Sequence, residues 1–157
     1  MDFSPKYVYD NPMFMITVSV VVIDENGVAL IHDLEQNWAT HDIYKFPGGA
    51  VKAGQESIQF AAVRHIKEQL GVTIKKESLI PVDFRSDPER SESKNIVDIG
   101  FVTILEGSKP EAGLGKWFEV DFEKKEVLFS ERGIFLWEEN NTLLQRALDI
   151  ILLMKND

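Results

Sequence analysis

The sequence predicts an α/β fold, and three observations carry that prediction. Residues 13–24, MFMITVSVVVID, are dense in β-branched side chains and read as a buried strand. Residues 46–50, FPGGA, make a glycine turn that leads into a helix with one apolar stripe, closing on Gly71. A second amphipathic stretch, 139–155, ends the chain. Strand segments interleaved with two helices argue for helices packed on a sheet rather than an all-α or all-β architecture.

Composition bounds the function classes. A chain of 157 residues with 44% hydrophobic and 27% charged residues is long enough for a sizeable core, most simply as one domain spanning 1–157. The formal net charge of −9 argues against a nucleic-acid surface, but a local Arg and Gly pocket could still take a small anion. Cysteine is absent, which removes disulfide and thiol chemistry and fits a reducing interior. The N-terminal residues lack the pattern of a secretory signal and no apolar run reaches membrane-spanning length, so the expected setting is cytoplasmic, with no membrane partner.

Taken in order, residues 1–12 read as an arm with Phe3, Tyr7 and Tyr9 between prolines, packing on the domain or on a second copy. After the first strand, Glu25-Asn26-Gly27 signals a hairpin into a second strand, 28–34, carrying His32, which is read as a surface or hydrogen-bonded histidine. Trp38 lies in the polar loop 35–43, where its plain reading is a cap on the core edge. Residues 44–46 form a short strand that delivers the glycine turn. Gly48 and Gly49 allow close approach of backbone to a ligand, and a glycine loop feeding a helix N-terminus suits an anion.

In the helix, Ile58, Ala61, Ala62, Ile66 and Leu70 form the inward stripe, with Ser57 as cap. Arg64, His65, Glu68 and Gln69 share another face, where chemistry would sit, and Arg64 can pair with Glu68 one turn away. The competing reading of Glu56, Arg64 and Glu68 is a solvated, salt-bridged surface. Residues 72–80 begin the next strand region, followed by the charged segment 83–90 (DFRSDPER) and an apolar strand, 96–105. Arg85 and Arg90 either contact phosphate, for which guanidinium is well shaped, or belong to a solvated loop. Loop 107–115 precedes an alternating strand at 116–122, a charged turn at 123–126, a short apolar stretch at 127–129 and another short strand within 131–137. Asn140 or Asn141 is expected to cap the final helix, whose stripe is widened by Ile150 and Leu153 enough to meet a second subunit.

The residues from 46 to 72 resemble the signature of the Nudix hydrolases, the MutT-like family. That signature runs glycine, five residues, Glu, seven residues, Arg-Glu, an aliphatic, one residue, Glu-Glu, one residue, glycine and an aliphatic. Aligned from Gly71 and Val72, the family Arg falls on Arg64, the upstream Glu on Glu56 and the first late Glu on Glu68. The resemblance implies a Nudix fold, an α/β/α sandwich with a mixed central β-sheet. It also implies Mg2+ or Mn2+ on the helical carboxylates, a nucleoside-diphosphate-type ligand whose base the loop carrying Trp38 can touch, and a homodimer. The stretch FRSDPER with Pro88 looks nearest the ADP-ribose pyrophosphatase-like branch and its non-hydrolytic relatives.

The departures decide the functional expectation. His65 stands where the family has a Glu, and Gln69 replaces another. The glycine spacing is also one residue long from Gly49, or places Ala50 at the glycine. Magnesium favours hard carboxylate oxygens, whereas His suits softer ions and Gln is neutral. Unit charges in contact interact by about 4 kcal/mol at an effective dielectric near 20, so losing two carboxylates costs orders of magnitude in ion affinity. Glu56, Glu68 and, weakly, His65 remain as metal candidates, and Glu56, Arg64 and Glu68 as catalytic ones. Three readings follow. The first is a binder of an ADP-ribose-like compound with weakened or lost hydrolysis, needing no metal. The second is an active hydrolase helped by a remote acid such as Glu89 or Glu92. The third is an interaction domain without a ligand.

Overall fold

The computed structural model describes residues 14–33, 42–86, 95–107 and 115–155. The N-terminal arm, Trp38, Pro88, Glu89, Arg90 and Glu92 lie outside these. The elements run β1 (Phe14–Ile23), β2 (Gly27–His32), β3 (Asp42–Lys45), β4 (Gly48–Ala50), α1 (Ile58–Leu70), β5 (Ile80–Ser86), β6 (Asn95–Ile104), β7 (Lys116–Asp121), β8 (Glu126–Val127), β9 (Ile134–Leu136) and α2 (Glu138–Lys155). The strands form a mixed sheet in the order β5-β6-β1-β2-β3-β9, with β4 on β1 and β7 between β2 and β8. β1 runs parallel to β6 along its whole length and β3 runs parallel to β9, while the other pairs are antiparallel.

β1 is apolar throughout because both its faces are covered. Side chains alternate across a strand. Val18, Val20 and Val22 therefore pack with Ala61, Ala62, Ile66 and Leu70 of α1. Val21 and Ile23 pack with Leu143, Leu144, Ala147, Leu148 and Ile151 of α2. The result is the α/β/α sandwich that the resemblance implied. The hairpin is pinned by Asp24, whose carboxylate accepts from the N–H groups of Asn26 (2.8 Å) and Gly27 (2.9 Å).

Some expectations need correction. The residues after Gly71 do not begin a strand. Val72 and Ile74 plug the core under α1, Lys76–Ser78 make a 3-10 turn, and pairing starts only at Ile80. The last helix starts at Glu138, ahead of both proposed caps. Asn140 is buried in its first turn, and its Oδ1 accepts from the N–H of Phe46 at 2.9 Å. This bond ties α2 to the segment that leads into β4. Ile58 is only partly buried, and His65, placed on the polar flank from sequence, is buried as well.

Candidate functional site

Gly48–Ala50 does not feed a helix N-terminus directly. It is a strand, β4, paired antiparallel with β1 in the register Val18↔Gly49 and Ser19↔Gly48. Residues 51–57 intervene before α1, whose first turn is closed by Ser57 accepting from the N–H of Phe60 at 3.0 Å. Gly71, in a left-handed conformation (φ 71°), ends the helix with its N–H donating to the Lys67 carbonyl. What β4 presents to α1 is therefore its own peptide groups, and the polar flank of α1 grips them.

Gln69 forms a two-point pairing with Gly48: its Oε1 accepts from the Gly48 N–H and its Nε2 donates to the Gly48 carbonyl, both at 2.8 Å. His65 Nε2 lies 2.8 Å from the Ala50 carbonyl, so that nitrogen carries the proton and donates. Arg64 Nη2 donates to the same carbonyl at 3.2 Å. The His65 ring lies flush against Gly49, where a Cβ would come within 2.6 Å of Cε1. Its Nδ1 is buried without a hydrogen-bond partner among the described residues, 4.0 Å from Glu68 Oε2.

Glu56 and Arg64 make a bidentate pair, Nε to Oε2 at 2.9 Å and Nη2 to Oε1 at 2.7 Å, and the Lys52 N–H also donates to Oε1 at 2.9 Å. The Glu56 side chain is only 5% exposed, so this is not a solvated pair. The Arg64 bonds, followed by the Lys52 N–H, hold the Glu56 carboxyl down to about 2 from its ordinary 4.5. Arg64 is raised in turn, chiefly by Glu56. A lowered carboxyl stabilises the fold above its unfolded value and loses that contribution as pH falls toward the folded one. Acid titration of stability should therefore show a loss between about pH 4.5 and 2 that is smaller in Glu56→Gln. Glu68 is the solvated member, 55% exposed, with Arg64 Nη1 at 3.3 Å.

A magnesium or manganese cluster requires several hard oxygen ligands free to turn toward the ion. The flank does not fit one. Both Glu56 oxygens are committed to N–H donors, and Gln69 and His65 point N–H groups at the β4 carbonyls. Among the described residues no group of three or more His, Asp or Glu is placed to hold an ion.

The sequence reading missed a second part of the site. A cavity of about 250 Å³ is lined by Gly48, Gly49, Thr17, Ser19, Asp98, Trp137 and Asn140, among others. Thr17 and Ser19 face the α2 side of β1, and Asp98 sits beside Thr17 on β6. Asp98 is buried and accepts from Thr17 Oγ1 at 2.6 Å, Ser19 Oγ at 3.1 Å and Arg85 Nη2 at 2.8 Å. Arg85 also donates to the Glu139 carbonyl. The structure thus ties Arg85 to β6 and α2 beneath this cavity, away from the α1 flank. The signal was available: two hydroxyl residues two apart in a valine run face one way.

Comparisons with known proteins converge. The model of the NUDIX domain matches residues 13–146. An ADP-ribose pyrophosphatase of Methanocaldococcus jannaschii is 31% identical over 98 residues, 62% of this chain and 55% of that protein, so the match spans about half the relative's length. A MutT/nudix family protein from Enterococcus faecalis superposes with a TM-score of 0.71 at 16% identity, covering 97% of this chain and 70% of that one. The NUDIX domain of Shewanella oneidensis NrtR, solved with ADP ribose, gives 0.68 at 14% identity, covering 96% of this chain and 94% of that one. The two structures bear on the fold alone. Among the described residues no helix is long and apolar enough to cross a membrane. With the family model spanning most of the sequence and the fold of its members reproduced, the chain belongs to the Nudix family.

Proposed function

We propose that this protein binds a nucleoside-diphosphate-linked compound of the ADP-ribose type in the space between β4, Thr17, Ser19 and Trp137, and hydrolyses it weakly or not at all. The observation that carries this reading is the character of the α1 flank. Three side chains there, Arg64, His65 and Gln69, spend N–H donors on β4 carbonyls. Metal-assisted displacement would need anionic oxygens bridged to phosphate by a dication. The ligand class is supported by the M. jannaschii relative, an ADP-ribose pyrophosphatase. Gly48 and Gly49 line that space and allow close backbone approach for phosphate oxygens, with Lys45 as the cationic group in its wall.

Thermal denaturation with ADP-ribose in a chelator tests the reading. Binding is expected to raise the melting temperature, since a ligand at 100 times its Kd adds about 2.7 kcal/mol. No shift with any compound in a panel of ADP-ribose, nucleotide sugars, dinucleotides and nucleoside triphosphates would contradict it. One observation favours the active-hydrolase alternative: Glu68 is exposed and lies beside the unpartnered Nδ1 of His65. On that alternative, AMP and ribose phosphate form only with Mg2+ or Mn2+, and Glu68→Gln abolishes their formation.

A further inference from the structure

We propose that Gln69 and His65 are positioning residues that replace a bound dication mechanically, clasping β4 to α1 so that the ligand site is pre-formed in the absence of metal. The inference rests on the ligand-binding reading above for its functional consequence, but the clasp itself has a readout that needs no ligand.

The argument turns on which partner donates. Gly48 offers α1 one N–H and one carbonyl, and the Gln69 carboxamide matches both with a donor and an acceptor in one plane. A glutamate of the same shape keeps the acceptor for the N–H but sets a second carboxylate oxygen 2.8 Å from the Gly48 carbonyl. Two acceptors in that position repel unless a proton or a cation comes between them. The same holds at residue 65: Nε2–H donates to the Ala50 carbonyl, and a carboxylate there would face that oxygen with no hydrogen to share. Arg64 donates to the same carbonyl, so that oxygen already accepts two hydrogen bonds. A face with carboxylates at 65 and 69 needs an ion to hold β4, and this face holds it with hydrogen bonds.

The strand that is clasped is also the strand that bounds the cavity. Gly48 and Gly49 line the pocket with Thr17, Ser19 and Asp98, so a loosened β4 deforms the wall against which a ligand would lie. Gly49 is pinned by contact as well, with the His65 ring filling the space a side chain would need. Pre-organisation of this kind raises affinity by removing the cost of ordering the wall on binding.

Amide hydrogen exchange at Gly48, on the full chain with and without Mg2+, tests the clasp. In the native protein, exchange is expected to be slow and unchanged by a chelator. In Gln69→Glu it should speed at least about tenfold in the chelator, the scale set by leaving a half-buried acceptor unmatched, and slow again when Mg2+ is added. His65→Gln, which keeps a donor, should behave like the native protein, whereas His65→Glu should follow Gln69→Glu. Equal exchange in the native protein and Gln69→Glu, or Mg2+-dependent protection in the native protein, overturns the clasp. ADP-ribose affinity separates the two levels. Loss of affinity in Gln69→Glu with recovery in Mg2+ supports both proposals. Changed exchange with no ADP-ribose binding by any form leaves the clasp standing and sinks the ligand assignment.

Discussion

Replacing Gly48 with alanine is expected to destabilise the protein by at least about 4 kcal/mol, a size reached only when a named packing or backbone feature is broken. A Cβ at this position would lie 1.9 Å from the Val18 carbonyl oxygen and 2.8 Å from its carbon, both atoms of the β1 backbone. Neither can retreat, because β1 is bonded to β6 on its other side along the whole strand. The backbone of Gly48 also sits at φ 157°, a region that L side chains rarely adopt. For a domain of this size the loss should appear as a fall of roughly 10 °C or more in Tm. Gly54→Ala is the control. Gly54 has φ 77° but nothing within 4 Å of a Cβ, so only backbone strain of about 1–2 kcal/mol is expected. Similar losses in the two variants would mean that β4 is not pressed against β1 as described.

The second large effect is expected at Arg85. Its guanidinium reaches Asp98 at 2.8 Å and the Glu139 carbonyl, and the Asp98 carboxylate is buried. Removing one member of a buried pair costs about 3–5 kcal/mol because the other charge stays behind uncompensated. Arg85→Ala should lose about that much, and Arg85→Met combined with Asp98→Asn should recover part of it, with Asp83, 3.9 Å from Arg85 Nε, keeping its bond to Arg146 at 2.8 Å. Urea titrations of Arg85→Ala, Arg85→Met, Asp98→Asn and the double measure this directly. The sequence also allows Arg85 as a phosphate contact. If that role dominates instead, Arg85→Ala will weaken ADP-ribose binding and leave the urea midpoint unmoved.

Much of the sandwich was legible because it depends on local rules. The valine run of β1 and the Asn26-Gly27 hairpin could be read from residue type and spacing. So could the Ser57 cap, the Gly71 stop and the two apolar helical stripes. The errors arise where tertiary packing overrides local preference. Val72 and Ile74 look like strand residues but are spent on plugging the core, so β5 begins later. Asn140 looks like a cap, yet its amide is drawn inward to satisfy the Phe46 N–H.

The site was legible as a set of positions but not as a set of partners. Helical spacing brings Arg64, His65, Glu68 and Gln69 to one flank, as the structure has them, but spacing does not tell whether a side chain faces a ligand or a backbone. Only the register of β4 on β1 places the Gly48 and Ala50 peptide groups against Gln69 and His65. Asp98 was invisible for a similar reason. Its pairing with Thr17 bridges strands 81 residues apart in sequence.

The most direct test of metal-free recognition is calorimetric titration of the native protein with ADP-ribose, in chelator and in Mg2+, with AMP measured in the same samples. Affinity that differs by less than about twofold between the two conditions, a free-energy difference of about 0.4 kcal/mol, with no AMP accumulating, is the predicted result. Binding that appears only with Mg2+, or AMP released in proportion to time and protein, would contradict the account.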